Sequence, residues 1–136
     1  MPAPAAFDYA LVRVVPCVER GEFLNVGAIL FCRSRRFLDA RIELDEARLR
    51  ALWPRADLDE MRANLEAIPR ICAGGPDSGP IGRLPLHERF HWLVAPRSTV
   101  IQTSPVHSGL SSDPAAALEH VMERMVRPPG PSEAPA

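Results

Sequence analysis

Apolar and polar positions alternate most cleanly between Leu38 and Leu44, where Leu38, Ala40, Ile42 and Leu44 are interleaved with Asp39, Arg41 and Glu43. A period of two sends one row into a core and the other into water, so this segment predicts a strand. Two upstream runs belong with it. Phe7–Val15 is apolar and β-branched and stops at Pro16, while Val26–Cys32 is apolar on both faces, as suits a central, doubly covered strand. Glu19-Arg20-Gly21-Glu22 and Ser34-Arg35-Arg36 supply the turns, which predicts an antiparallel meander. Gly27, inside the second run, marks a bulge or the close passage of another backbone.

After Leu44 the period changes. Asp45 is placed to cap a short helix carrying Leu49, Leu52 and Trp53 on one side and ending at Pro54. Asp57 followed by Glu60 resembles a capping box, and Leu58, Met61, Leu65 and Ile68 follow at helical spacing until Pro69, which kinks or ends the helix. Residues 73–82 hold four glycines and two prolines and predict a flexible connector. It is a poor phosphate cradle, because Pro76 and Pro80 remove backbone donors and no Gly-Lys-Ser/Thr follows. Phe90–Ala95 and Thr99–Ser104 read as two strands around the turn Ala95-Pro96-Arg97-Ser98. Asp113-Pro114 opens a last helix whose apolar face is Leu118, Val121, Met122 and Met125, and Pro128 stops it. The order βββ-αα-ββ-α predicts an α+β domain, an antiparallel sheet of about five strands with helices packed on one face.

Length and composition bound this picture. At 136 residues, 46% hydrophobic and 24% charged, the chain has room for one globular domain. Six of its 15 prolines are terminal (Pro2, Pro4, Pro128, Pro129, Pro131 and Pro135). Residues 1–6 and 127–136 are therefore read as flexible tails around a single domain at 7–126. Sixteen basic residues, all arginine, against 17 acidic ones leave a net charge of -1, so no whole-chain field draws it to nucleic acid or anionic lipid. Arg33, Arg35, Arg36, Arg48, Arg50 and Arg55 are interleaved with Asp39, Glu43, Asp45 and Glu46, which reads as a solvated face. Cys17, Cys32 and Cys72 are an odd number without a close pair, which argues against a disulfide scaffold and for a reducing cytoplasm. The N-terminus lacks the basic and apolar regions of a signal peptide, and no apolar run is long enough for a membrane helix. A soluble cytoplasmic protein is expected, with self-association left open.

Two stretches carry candidate chemistry. His87-Glu88-Arg89-Phe90-His91 spells H-E-x-x-H, in which two histidines one helical turn apart bind zinc and the glutamate activates water. That chemistry needs a sustained helix, whereas Pro85 precedes the motif and Trp92–Ala95 reads as strand. The motif is therefore read as a surface His87 and a half-buried His91, with no metal and no cofactor expected. The second stretch, Arg97–Gly109, carries five hydroxyls, one glutamine, one arginine, one histidine and no acid across thirteen positions. Such donor-rich chemistry suits a phosphate or carboxylate, with Arg97 as the fixed charge and Ser98, Thr99, Gln102, Thr103 and His107 around it. The competing reading is structural, a threonine-rich strand followed by a Ser-Pro turn. No G-x-S-x-G elbow is present and no acid is placed to orient His107, so a nucleophilic triad is unsupported.

The segments RVVPCVERGEFLNVGAILFC at 13–32, RFLDARIELDEARL at 36–49 and ERFHWLVAPRSTVIQTSPVHSGL at 88–110 together resemble the bacterial domain-of-unknown-function family 3037. The resemblance spans nearly all of residues 8–126. Its members are often encoded beside kinase-like proteins resembling HipA toxins, so the resemblance implies an accessory or binding protein acting in complex with such a kinase. It points to Arg13, Glu19, Arg20, Gly21, Glu22, Asn25 and Gly27 in the first hairpin. In the later part it points to Arg89, His91, Arg97, Ser98, Thr99, Gln102, Thr103 and His107, while His87 falls outside the pattern. Glu19, Arg20 and Glu22 either pair across their turn or serve function. The alternative is a small enzyme on phosphate-containing or nucleotide substrates, with His91 or His107 as acid/base and Arg97 stabilising charge.

Overall fold

The protein is described here by a computed structural model covering residues 3–130. Its elements run β1 (Ala5–Val14), β2 (Leu24–Cys32), β3 (Phe37–Ile42), α1 (Glu46–Leu52), α2 (Leu58–Ala73), α3 (Leu86–Val94), β4 (Ile101–Thr103), β5 (His107–Ser111) and α4 (Pro114–Val121). A π-helical turn, Met122–Val126, continues α4. All five strands form one antiparallel sheet, so the expected α+β class and strand number hold. β2 lies between β1 and β3, and the far side of β1 is shared by β4, opposite Val12–Val14, and β5, opposite Ala5–Tyr9. Between those two strands the Ser104 N–H donates to the Leu11 carbonyl at 2.9 Å. The buried Ser104 Oγ accepts from the Leu11 N–H at 2.8 Å, standing in for a missing ladder carbonyl.

Gly27 meets both of its expectations. Val12 is opposite Gly27 and Arg13 opposite Asn25, so β2 carries one extra residue there, a bulge. A Cβ on Gly27 would also lie 2.4 Å from the Arg41 carbonyl oxygen. The sheet is covered on both sides, as the doubly apolar β2 requires. Val12, Val14, Ile29 and Phe31 pack with Leu49 of α1, Leu65 and Ile68 of α2, and Phe90 and Leu93 of α3. Leu11, Ala28 and Leu30 pack on the other side with Leu118, Val121, Met122 and Val126. Helices on one face is thus right for α1–α3 and needs correcting for α4. Each large side chain removed from water contributes roughly 1.5–3 kcal/mol.

The three expected caps form: Asp45 accepts from Arg48 N at 3.1 Å, Asp57 from Glu60 N at 3.2 Å and Asp113 from Ala116 N at 3.2 Å. Pro69 does not end α2, which runs on to Ala73. The segment 90–95 is a correction: it lies in α3 and the turn after it, because Leu86, Phe90 and Leu93 recur at helical spacing. The order is accordingly βββ-αα-α-ββ-α. β5 has no sequence signal, since its side chains stay largely in water and only pairing with β1 makes it a strand.

The domain edges move outward from 7 and 126. Ala5 and Ala6 pair with Ser111 and Leu110, and the Arg35 guanidinium donates to the Ala3 carbonyl. At the other end Arg127 pairs with Glu43 at 2.7 Å and Glu119 at 2.5 Å. The rest of the expected tails, residues 1–2 and 131–136, lies outside the described residues. Among the described residues no helix is long and apolar enough to cross a membrane.

Candidate functional site

The sheet divides the candidate residues between its two faces. Ile101 and Thr103 of β4 stand opposite Val14 and Val12 and share their face, towards α2 and α3. Gln102, between them, shares the opposite face with Arg13. His107 is opposite Tyr9, with ring centroids 5.5 Å apart, on the α4 side.

On the α2–α3 side Arg97 is exposed at the mouth of a groove of about 500 Å³. Its guanidinium lies over the Trp92 ring, 4.4 Å from the centroid, and its Nη2 donates to the Trp92 carbonyl at 2.8 Å. Ile68, Ile71, Leu93 and Ile101 give the groove apolar walls, and Glu60 and Asn64 also line it. Most hydroxyls of this stretch are occupied by the chain itself. Thr99 donates to the Ile101 carbonyl at 2.8 Å, Thr103 to the Val94 carbonyl at 3.3 Å, and Ser108 to Asp8 at 2.6 Å. Ser98 is exposed. Arg97 is therefore a fixed cation with an aromatic platform, without a ring of free hydroxyls around it.

On the α4 side the two hairpins meet. Arg13 of the central strand is flanked by Asn25 of β2 and Gln102 of β4. Its guanidinium stacks on Phe23 at 4.0 Å, and among the described residues it makes no ion pair. Asn25 Nδ2 donates to the Met125 carbonyl at 3.2 Å, and Gln102 Nε2 to the Thr99 carbonyl at 2.8 Å. Arg13 Nε and Asn25 Oδ1 are buried, and neither has a hydrogen-bond partner among the described residues. Phe23 and Met125, both partly exposed, border this polar row, and Tyr9 donates to the Met125 sulfur at 3.7 Å. Phe23 and Tyr9 carry no sequence signal beyond their aromaticity, and Met125 reads there as core.

At the first turn Arg20 Nε donates to Glu22 at 2.5 Å, and this bond and charge raise Arg20 above its ordinary value. Pairing across the turn is thus what these two residues do, and Glu19 stays exposed beside them. Arg89 belongs to the fold: it donates to the carbonyls of Ile71 at 3.1 Å, Cys72 at 2.8 Å and Leu84 at 2.8 Å. These bonds close the end of α2 and tie down the glycine-rich connector, which contains two ordered 3₁₀ turns, Pro76–Ser78 and Ile81–Arg83. Cys72 is buried, and that burial pushes its thiol up to about 12, so it is an unreactive hydrophobe.

The H-E-x-x-H stretch does lie on a helix, correcting the strand reading, and places the rings of His87 and His91 6.4 Å apart. Their burial is also reversed: His87 is partly buried and His91 exposed. Arg33 and Arg36 line the hollow beside His87, a poor electrostatic setting for a cation. Among the described residues no group of three or more His, Cys, Asp or Glu is placed to hold a metal ion. Among the described residues the neighbours of these histidines are rings, His87 and Phe90 for His91 and Tyr9 for His107.

These features define a small two-faced α+β domain with cationic positions on either side of one sheet. The chain belongs to the DUF3037 family, described as proteins of unknown function, whose model matches residues 9–126. No curated protein and no solved structure matches it.

Proposed function

We propose that this domain is a binding protein that acts by docking onto a larger partner, with Arg97 receiving an anionic group of that partner. The family resemblance supplies the partner class, a HipA-like kinase. The observation that supports docking at this position is the held guanidinium: Arg97 is stacked on Trp92 and bonded once to its carbonyl, so its remaining donors face an open, apolar-walled groove. An acidic side chain or phosphate flanked by apolar residues matches Arg97 in charge and the apolar walls in surface. The enzyme alternative draws no comparable support, because His91 and His107 lie on different elements, each against an aromatic or imidazole ring.

The test is co-expression and co-purification with a HipA-like kinase, the partner class that the family resemblance implies. Stable association at micromolar concentrations is expected, weakened about tenfold by Arg97→Ala, as loss of a charge-assisted hydrogen bond predicts. Failure of the unsubstituted pair to associate overturns the reading.

A further inference from the structure

We infer that the hollow between the β2–β3 turn and the start of α3 is a binding site for a phosphate monoester carrying an apolar group. It lies at the opposite end of α3 from Arg97, so it stands or falls apart from the docking surface proposed there.

The β2–β3 turn carries Arg33, Arg35 and Arg36, and the fold treats them differently. Arg35 holds the chain, donating to the Ala3 carbonyl and, at 2.8 Å, to the Ser112 carbonyl. Arg33 and Arg36, both exposed, line a hollow of about 400 Å³ together with the partly buried His87. Among the described residues neither of these two guanidinium groups has a hydrogen-bond or ion-pair partner, and no acid lines the hollow. Other arginines of the chain are met by glutamates, Arg41 by Glu119, Arg62 by Glu46 and Arg127 by Glu43. Two like charges facing one space repel each other until an anion lies between them.

The backbone points the same way. Arg36 has φ 50° and ψ 42°, and among the described residues it is the one non-glycine with positive φ. Glycine or asparagine takes this place in a turn at lower cost. The turn itself needs only the Arg36 N–H, which donates to the Arg33 carbonyl at 3.1 Å whatever the side chain, so the guanidinium is free for another task. The positive end of α3 borders the same space: Pro85, Leu86 and His87 line it, and among the described residues no side chain caps the helix.

Charge and shape together define the ligand. Two guanidinium groups match an oxyanion with two charges better than a carboxylate with one, and each is built to pair with two oxygens. The floor is apolar and held in place, because the buried Phe31 stacks on Phe90 with ring centroids 5.2 Å apart, and Pro85 and Leu86 complete it. A bare phosphate leaves this floor to water, whereas an ester with an aromatic or aliphatic group covers it.

The experiment is a nuclear magnetic resonance titration of the full chain, following the backbone amides of residues 33–36 and 86–88. The probes are phenyl phosphate, inorganic phosphate, benzoate and a hexapeptide with a central phosphotyrosine. Saturable shifts at both segments are expected with phenyl phosphate, with binding about tenfold weaker for inorganic phosphate and for benzoate. Tighter binding of the peptide than of phenyl phosphate identifies a modified protein as the source, and equal or weaker binding identifies a free ester. Arg33→Ala is expected to weaken phenyl phosphate binding about tenfold. Arg36→Gly is expected to do the same with a melting temperature unchanged or raised, because glycine is at ease in the left-handed region. Arg50→Ala, at an exposed position of α1 outside the hollow, is expected to leave binding unchanged. No saturable response to phenyl phosphate, or an equal response to benzoate or inorganic phosphate, overturns the inference. So does intact binding in Arg33→Ala or Arg36→Gly, equal weakening by Arg50→Ala, or shifts confined to residues 92–101, which would put the anion at Arg97 instead.

Discussion

The Arg89 guanidinium reaches three carbonyls that no helix or ladder satisfies, two at the end of α2 and one at Leu84. Substituting it by alanine removes a charged donor and leaves those carbonyls to water or to nothing. Hydrogen bonds to charged groups are worth about 1.5–3 kcal/mol each when removed, so Arg89→Ala should lower unfolding stability by at least about 2 kcal/mol in urea titration. A loss below 0.5 kcal/mol would show that the connector holds itself. At this scale the sequence names residues well and assigns roles poorly. Arg89, Arg97 and Arg13 are equivalent letters in a chain whose basic residues are all arginine. Only contacts separate the one that closes a helix from the one on Trp92 and the one on Phe23. Likewise the hydroxyls of 97–109 read as a donor cluster, and hydrogen bonds within the chain occupy most of them, on backbone carbonyls and Asp8.

At the level of elements, local chemistry was legible wherever it was self-contained. The caps at Asp45, Asp57 and Asp113 need only the next turn of their own helix, and the alternation of Leu38–Ile42 needs only a core beneath it. The failures share one cause, dependence on distant chain. Phe90–Ala95 is rich in aromatic and branched residues, and the helix forms because Phe90 and Leu93 are buried by β2 and α2 partners. β5 is a strand only because the first half of β1 is open to pair with it. Gly27 lies between these cases. Its position forecast a bulge, and its neighbours add a backbone oxygen where a methyl would go. Gly27→Ala should therefore cost about 1–3 kcal/mol by overpacking. Measured by denaturant midpoint, a neutral effect would mean that β3 yields at Arg41.

For the whole molecule, Arg127 fastens the end of the chain to both covered faces' surroundings, through Glu43 after β3 and Glu119 on α4. Hydrogen bonding from Arg127 holds the Glu43 carboxyl below its ordinary value of 4.5, against a smaller upward effect of burial. A lowered carboxyl stabilises the fold fully above its ordinary range and loses that contribution as pH falls through the lowered value. The melting-temperature gap between the unsubstituted protein and Glu43→Gln should be largest at neutral pH and shrink below pH 4.5. A gap constant from neutral to strongly acidic pH would assign the effect to shape alone. The boundary at 126 read from Pro128 stops one residue short of this clasp, because an ion pair across the fold leaves no trace in the neighbouring letters.

β1 sends Val12 and Val14 to one side of the sheet and Leu11 and Arg13 to the other, so a single strand forms the partition between two separately lined compartments. A substitution that empties part of one compartment leaves the lining of the other in place. The two faces can thus change their packing independently while sharing one backbone wall.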